Sequence, residues 1–300
     1  MSHITESNAK KITAPHIRGR KGGATIVALT AYDYPSARLV DEAGFDIILV
    51  GDSLAQTVLG YDSTLPVTLD EMIAATRAVR RATRRALVVG DMPFGSYQDS
   101  VSRAVESAIR FVKEGGAEAV KLEGGVRRAE MVKAIVEAEV PVMGHIGLTP
   151  QSLLRMGGYR VQGKTIEAAR ELIEDALALE RAGAFSIVLE GIPSEISTLI
   201  TNRVTVPTIG IGAGVNCDGQ ILVFSDLVGL TFGHKAKFVR QYSDVKSVIT
   251  DALKKYSDDV AARRFPADAE SYHLPEGVVV ETVEIEDEHS QSMPPLGPIN

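Results

Sequence analysis

The chain has few of the features that mark secreted or membrane proteins. It has one cysteine in 300 residues, Cys217, which can form neither an internal disulfide nor a cysteine-rich zinc site. No run approaches the roughly 18 apolar residues of a membrane span. Residues 1–24 lack the apolar core of a signal peptide. We therefore expect a cytoplasmic protein that does not associate with a membrane.

Positive charge is also in deficit. The 32 Lys and Arg residues face 39 Asp and Glu residues, which gives a formal net charge of −7. A general attraction to phosphate backbones is therefore absent, and we do not expect nucleic acid as a partner. From residue 276 onward there are six acids and no Lys or Arg. We interpret residues 266–300 as a solvated, acidic, Pro-containing tail without a catalytic role, and the alternative is that residues 278–280 dock on a neighbouring subunit.

Short β-branched runs recur along the chain, and most are followed by a longer segment with helical spacing. The runs predict strands at residues 26–30, 47–51, 86–92, 117–124, 141–147, 185–191, 206–212 and 221–229. The spacing between them predicts helices at residues 34–42, 69–84, 100–114, 129–138, 166–182 and 194–203. Several of these helices are followed by Gly, which is typical of a helix end.

The alternation of strands and helices indicates an α/β fold. Eight nearly continuous apolar strands predict a parallel sheet that is buried on both faces and closed into a (β/α)8 TIM barrel. We assign residues 25–265 to this barrel and residues 1–24 to an N-terminal extension or helical lead-in. A doubly wound open sheet is the alternative. The number of strands and the absence of a Gly-x-Gly-x-x-Gly turn after the first strand favour the barrel.

Four acids stand where predicted strands end, and in such a barrel that edge carries the active site. They are Asp52, Asp91, Glu123 and Glu190. The first three follow successive strands, which lie about 4.8 Å apart in a sheet, so their side chains can converge. An all-oxygen set suits Mg²⁺. Taken singly, each acid is equally well explained as a helix N-cap or a salt-bridge partner.

Other polar residues lie at the same edge. Glu190 is placed away from the three acids, where an apolar pocket would raise its pKa and make it a general base. Lys121 shares a strand face with Glu123, which indicates a joint site or a structural ion pair. His145 ends the fifth strand and is a candidate to bind substrate, or is a hydrogen-bonded core residue. Ser53 offers a hydroxyl and a backbone N–H, or caps a helix.

Two further features carry weaker signals. The Gly-rich segment 210–214 follows the seventh strand, where many barrels bind phosphate, but tight packing explains its glycines equally well. Nucleophilic catalysis has little support, because Cys217 has no His near it in the sequence and no Gly-x-Ser-x-Gly elbow is present.

At this point a set of longer strings becomes informative. In order along residues 25–244, the chain resembles the ketopantoate hydroxymethyltransferase family in the strings TAYDYPSARLVDEAGFDIILVGDSLA, VLGYDSTLPVTLDEM, VVGDMPFGSY, AVKLEGG, PVMGHIGLTPQS, YRVQGKT, IVLEGIP, TIGIGAG and CDGQILV. The strings VGDSL, GYDSTLPVT and GHIGLTPQ are long enough, in this order, to argue against chance.

The resemblance implies a (β/α)8 barrel of the phosphoenolpyruvate/pyruvate superfamily and a large homo-oligomer, typically a decamer of two pentameric rings. It implies small-molecule substrates and hydroxymethyl transfer from 5,10-methylenetetrahydrofolate to 3-methyl-2-oxobutanoate. The product would be 2-dehydropantoate, formed through a Mg²⁺-stabilised enolate, on the route to pantothenate and coenzyme A.

The resemblance also implies residue roles. Mg²⁺ is expected at Asp52, Asp91 and Glu123, and Glu190 is expected to be the catalytic base. The residues expected to bind the 2-oxo acid substrate are Asp52, Ser53, Asp91, Lys121 and His145.

Two other functions use the same features. A metal-dependent C–C lyase of the isocitrate lyase type would use the same acids, but it normally carries a Lys-Lys-Cys-Gly-His string that this chain lacks. A non-catalytic barrel that serves as an oligomeric scaffold is the second alternative. The loss of a metal-binding acid would favour a scaffold, and all of the acids are present.

Overall fold

In a computed structural model of the protein, the described residues are 10–233 and 235–278. The acids from Glu281 onward, and the predicted docking segment apart from Val278, lie outside the described residues. The chain divides into two compact units, Met1–Lys246 and Ser247–Asn300. The predicted end of the barrel at residue 265 therefore falls inside the second unit.

Eight parallel strands form a closed barrel in the first unit, with β1 paired to both β2 and β8. The predicted TIM barrel is confirmed, and the open doubly wound sheet is wrong. The strands are β1 (Ile26–Thr30), β2 (Ile47–Val50), β3 (Leu87–Asp91), β4 (Ala119–Glu123), β5 (Val142–Gly147), β6 (Ser186–Glu190), β7 (Thr208–Ile211) and β8 (Gly219–Leu222).

Along the chain, helices follow most of the strands. They are α1 (Ala14–Arg18), α2 (Tyr34–Glu42), α3 (Leu54–Thr57), α4 (Leu69–Ala82), α5 (Val101–Arg110), α6 (Ala129–Glu137), α7 (Leu153–Met156), α8 (Ile166–Arg181), α9 (Ser194–Arg203), α10 (Phe224–Val228) and α11 (Val245–Ala261). A π-helical turn, Phe111–Gly115, continues α5. None of the helices in the described residues has the length and apolar character needed to cross a bilayer.

The eighth strand differs from its prediction. The apolar run 221–229 predicts one strand, but β8 covers Gly219–Leu222 and the rest of the run forms helix α10. The pairing of β8 with its two neighbours sets its position in the chain, because Gly219 lies opposite Ile26 of β1 and Ile209 of β7. The chain then leaves the sheet, and the N–H of Phe224 donates to Thr30 Oγ1 at 3.0 Å.

Alternate strand residues form two separate apolar cores. The first lies inside the barrel and includes Ile26, Ile47 and Leu87, whereas the second lies between strands and helices. The residues before β1 belong to the inner core, because Ile12 and Ile17 are buried in it. The lead-in therefore packs with the side chains of the barrel interior.

The second unit, Ser247–Asn300, contains most of α11 and a short 3₁₀ turn, Asp268–Glu270. Tyr256 and Phe265 form an edge-on ring pair with centroids 5.3 Å apart. The guanidinium of Arg264 pairs with Asp259 Oδ1 at 2.9 Å.

Candidate active site

Strand alternation brings the predicted polar residues to one place. The strands β3, β4, β5 and β6 each carry a polar residue near the carboxyl end. Two or four residues earlier, each of these strands has a side chain in the inner core. Residues two apart on a strand share a face, so the polar side chains point into the mouth of the barrel. They are Asp91, Lys121, Glu123, His145 and Glu190. Pairing sets Asp91 opposite Lys121 and Glu123 opposite His145.

Lys121 forms a buried ion pair. Its Nζ lies 2.8 Å from Asp91 Oδ1, and the two side chains are 4% and 1% exposed. Burial alone would lower the pKa of Lys121, but the charges of Asp91, Glu123 and Asp52 raise it well above its usual value. The lysine is therefore charged at neutral pH, and the ion pair considered from the sequence is present.

His145 lies between two acids. Its Nε2 atom is 3.2 Å from Glu190 Oε2, and its Nδ1 atom is 3.5 Å from Glu123 Oε1 and 3.2 Å from Lys121 Nζ. Burial and the charge of Lys121 lower the pKa of His145, but the neighbouring carboxylates of Glu123 and Glu190 outweigh them and raise it to about 9. At neutral pH both ring nitrogens of His145 therefore carry protons, and the Nε2 proton faces Glu190. His145 is therefore a polar partner of Glu190.

Asp52 and Asp91 are joined at the ends of β2 and β3. The N–H of Asp52 donates to Asp91 Oδ2 at 3.0 Å. Burial raises the pKa of both carboxyls to about 6. The charge of Glu123 adds to this rise at Asp52, while Lys121 opposes it at Asp91. Neither acid caps a helix, so the alternative that they are helix N-caps is wrong for Asp52 and Asp91.

Two residues that the sequence reasoning missed complete the cluster. The N–H of Gln151 donates to Glu123 Oε2 at 3.0 Å, and its side-chain Nε2 donates to Asp52 Oδ2 at 3.0 Å. Gln151 Oε1 accepts from Tyr97 Oη at 2.7 Å. Gln151 lies in the loop after β5, within the string GHIGLTPQS, and its place beyond a barrel strand was the available signal.

Ser53 is placed differently from the other predicted residues. It directly precedes α3, and its side chain makes no capping hydrogen bond, so the prediction that its hydroxyl caps a helix is wrong. Its Oγ lies 2.8 Å from the hydroxyl of Tyr32. Ser53 follows Asp52 in the chain, but the observed partner of its hydroxyl is Tyr32.

Asp52, Asp91 and Glu123 do not form a set of three direct metal ligands in the described residues, and their role as Mg²⁺ ligands stays a prediction. Among residues 10–233 and 235–278, no three His, Cys, Asp or Glu side chains are spaced to hold one ion. Within the same residues, the ion-pair partners at the four carboxylates are Lys121 and His145, which leaves two negative charges uncompensated. The buried Oε1 of Glu123 accepts no hydrogen bond within this part of the chain.

Mg²⁺ binds one or two carboxylates and keeps several waters. The Asp52–Asp91 pair therefore fits a hydrated ion. Glu123 is turned toward Gln151 and His145, so it fits a ligand that acts through water.

A cleft of about 650 Å³ opens beside the cluster. Glu123 and Gln151 form part of its wall. Its apolar side includes Phe94, Val126 and Leu154, and its charged side includes arginines and acids. Ligand sites commonly have about 300–1,000 Å³, so the cleft is large enough for a second small molecule.

The Gly-rich segment after β7 is explained by packing. A Cβ on Gly212 would lie 2.7 Å from Phe238, and one on Gly214 would lie 2.2 Å from Ser194 Oγ. Both glycines also have positive φ. Cys217 is no activated nucleophile, because burial raises the pKa of its thiol.

Comparisons with known proteins identify the family of the chain. The family model described as ketopantoate hydroxymethyltransferase matches residues 11–268. The chain is 58% identical over 276 residues to a 3-methyl-2-oxobutanoate hydroxymethyltransferase of Koribacter versatilis, covering 92% of this chain and 94% of the relative. It is 53% identical over 255 residues to a protein of the same name from Thermoanaerobacter sp., covering 85% and 93%.

Solved structures share the fold at low identity. A phosphonopyruvate hydrolase matches with a TM-score of 0.57 and 13% identity, covering 88% of this chain and 92% of that one. A 2,3-dimethylmalate lyase of the PEP mutase/isocitrate lyase superfamily matches with a TM-score of 0.56 and 18% identity, covering 90% and 92%. At these identities the likeness concerns the barrel alone.

Proposed function

Because the chain belongs to the ketopantoate hydroxymethyltransferase family of transferases, we propose that it transfers a hydroxymethyl group from 5,10-methylenetetrahydrofolate to 3-methyl-2-oxobutanoate. One observation carries the proposal at the level of residues. Glu190 is the most open of the four acids at the barrel mouth, with a side chain 16% exposed, whereas Asp91 and Glu123 are 1% and 2% exposed. A base must reach its substrate, and Glu190 is the acid best placed to do so.

The remaining residues bind and orient the 2-oxo acid. The charged Lys121 is suited to the carboxylate or keto oxygen of the substrate, and its partner Asp91 keeps its position fixed. Asp52 and Asp91 would hold Mg²⁺, with Glu123 acting through water. When bound, the ion would polarise the keto group and make the neighbouring C–H more acidic. Ser53 follows Asp52 and is our candidate for a further contact to the substrate.

Glu190 takes the proton from C3 of 3-methyl-2-oxobutanoate, and the C–H electron pair gives an enolate. His145 Nε2, 3.2 Å from Glu190 Oε2, holds the base in position. The C3 carbon then forms a bond to the methylene carbon of the folate. The two bonds from the methylene carbon to the folate nitrogens break, and water supplies the hydroxyl group. The two nitrogens take up two protons, the one removed from C3 and the one released by water. The products are 2-dehydropantoate and tetrahydrofolate. The cleft beside Glu123 offers room for the folate.

Hydrogen exchange at C3 tests the role of Glu190. With Mg²⁺ and no folate, the protein should exchange the C3 hydrogen of 3-methyl-2-oxobutanoate for deuterium, which proton NMR follows directly. Glu190→Gln should slow this exchange by at least about 100-fold, the low end of what general base catalysis contributes. Calorimetry should still detect binding of the 2-oxo acid. Glu195→Gln, the same change at an exposed position in α9, is the matched control. Unchanged exchange in the Glu190 variant would remove this residue from its role.

Adding 5,10-methylenetetrahydrofolate to the same assay tests the reaction itself. A transferase forms 2-dehydropantoate. A lyase exchanges the C3 hydrogen without forming 2-dehydropantoate. An inert scaffold does neither. Exchange without product in the wild-type protein would therefore contradict the proposed transfer.

We also propose a homo-oligomer, with ten subunits as the family resemblance leads us to expect, that acts in the cytoplasm. Apolar side chains on the surface of the first unit support an assembly. Ile109 in α5 and Val112 in the following turn are each 38% exposed.

A further inference from the structure

We propose that Gln151 is a positioning residue that aims Asp52 and Glu123 toward the barrel mouth, and that Tyr97 and Gln98 fix the direction of its side-chain amide. The inference rests on the proposed function, because it concerns the acids of that site. None of the three residues stood among the site residues expected from the sequence.

Gln151 connects acids from two strands that are not neighbours. Its backbone N–H donates to Glu123 Oε2 at the end of β4, and its side-chain Nε2 donates to Asp52 Oδ2 after β2. Both bonds measure 3.0 Å, and Gln151 is buried. Hydrogen bonds to a charged carboxylate are about twice as strong as neutral ones. One residue therefore sets the orientation of two buried acids.

Asp52 depends on this bond more than the other acids do. Lys121 pairs with Asp91, and His145 lies beside Glu123 and Glu190. Within residues 10–233 and 235–278, no ion pair involves Asp52. The donors that hold its carboxylate therefore include the Gln151 amide but no paired cation.

The amide of Gln151 has one allowed direction. Its Oε1 accepts from Tyr97 Oη at 2.7 Å and from Gln98 Nε2 at 3.0 Å, whereas its Nε2 also donates to the carbonyl of Met92 at 2.9 Å. A flipped amide would place an oxygen against the Asp52 carboxylate and the Met92 carbonyl. It would also place an NH₂ group against two donors. Only the observed orientation satisfies all four neighbours.

Tyr97 links this amide to the backbone of β4. Its hydroxyl oxygen accepts from the N–H of Glu123 at 3.1 Å. Its proton has two acceptors, Gln151 Oε1 at 2.7 Å and the more distant carbonyl of Glu123 at 3.4 Å. Tyr97 is buried, so each of these bonds is shielded from water. The Tyr97 hydroxyl therefore acts on Asp52 through Gln151 rather than by direct contact.

A double-mutant cycle tests this arrangement in the full-length protein. Mn²⁺, which can be followed by electron paramagnetic resonance, serves as the binding probe, together with KM and kcat for 3-methyl-2-oxobutanoate. Gln151→Met should weaken Mn²⁺ binding about 10–100-fold, as substitutions of residues that orient metal ligands do. Tyr97→Phe should weaken it by a smaller factor. In the double variant, Tyr97→Phe should have no further effect, because its partner is already gone.

The controls separate positioning from folding. Thr76→Val removes a buried hydroxyl that bonds Met72 in α4, so it should lower Tm and leave Mn²⁺ affinity unchanged. Gln98→Ala removes one of the two donors to Gln151 Oε1 and is the milder variant if Gln151→Met does not fold. It should weaken Mn²⁺ binding. On a Gln151→Asn background, neither Gln98→Ala nor Tyr97→Phe should weaken Mn²⁺ binding further.

The following results would overturn the proposal. The first is unchanged Mn²⁺ affinity in Gln151→Met or, if that variant does not fold, in Gln98→Ala. The second is a loss of Mn²⁺ affinity on Tyr97→Phe that is equally large in the wild-type protein and in the Gln151→Met variant. Product formation by the wild-type protein is measured alongside. A wild type that makes no 2-dehydropantoate but shows the Gln151-dependent affinity would contradict the proposed function and leave the positioning role supported.

Discussion

At the scale of single residues, two cations pair with three of the four carboxylates of the site. Lys121 pairs with Asp91, and His145 lies between Glu123 and Glu190. Burying a carboxylate without compensation costs several kcal/mol, so these pairs stabilise the buried acids of the cluster. The two remaining negative charges are the physical reason to expect a divalent cation there.

Asp91→Asn should weaken Mg²⁺ binding and activity together. The substitution removes one of the two acids that fit the ion, and it leaves Lys121 without its 2.8 Å ion-pair partner. We expect a loss of affinity of at least about tenfold, measured by calorimetry, because even residues that only orient metal ligands contribute that much. Activity should fall by at least the same factor.

Asp46→Asn is the matched control for that prediction. Asp46 is also a buried aspartate, paired with Arg20 at 2.8 Å and Arg85 at 3.1 Å, and it lies before β2 at the opposite end of the barrel. Its substitution should lower Tm and leave Mg²⁺ affinity as it was. Wild-type affinity in Asp91→Asn would show that the ligand assignment is wrong.

At the scale of elements, glycines in the strands set how closely the helices pack. A Cβ on Gly90 in β3 would lie 2.5 Å from Phe111 Cδ1 in the turn after α5. A Cβ on Gly144 in β5 would lie 2.6 Å from Leu179 Cδ1 in α8. Both glycines face the outer core, where a close approach buries the large side chains completely.

Gly90→Ala should therefore lower the free energy of unfolding by about 1–3 kcal/mol, the usual effect of an extra methyl group in a packed core. Urea unfolding measures the change. Gly23→Ala, where the new Cβ meets an ordinary 3.5 Å contact, should be close to neutral. Phe111→Leu should reduce the cost of Gly90→Ala, since it removes the ring that the methyl group meets. Additive losses in the double variant would contradict this explanation.

At the scale of the whole molecule, the barrel must close between its first and last strands. Asp218, just before β8, holds this junction. Its Oδ2 lies 2.9 Å from Lys21 Nζ and accepts from the N–H of Thr208 at 2.8 Å. Its Oδ1 accepts from the N–H of Gly22 at 2.9 Å. One carboxylate thus joins the segment before β1 to the start of β7 and β8.

The pH dependence of stability should report on this carboxylate. Burial raises the pKa of Asp218, but hydrogen bonds from Thr208 and Gly22 and the charge of Lys21 outweigh it, so the pKa lies below its ordinary value. A lowered native pKa adds stability above the unfolded pKa of about 3.9, and this stability is lost as the pH falls through the native value. The Tm of Asp218→Asn should therefore lie below that of the wild type at pH 7. The gap should close as the pH drops below about 4. A gap that stays constant would show that the charge is not its cause.

The sequence by itself determined the eight-stranded barrel and most of its helices, because apolar periodicity is a local property. The predicted bounds of α2 and α9 agree with the structure. The acids at the strand ends were also identifiable, since the alternation of a strand fixes which side chains face inward. The displaced eighth strand shows the limit of this reasoning, because its register depends on Ile26 and Ile209 in two other strands.

Only the tertiary structure decided which partner each polar side chain has. Gln151 and Asp52 are 99 positions apart in the chain, and His145 is 24 positions from Lys121. No local pattern relates such residues, because their contact arises when separate strands meet at the barrel mouth. The sequence thus supplied the charges of the site. The closing of the barrel decided that Lys121 holds Asp91, that His145 faces Glu190, and that an uncharged amide holds Asp52.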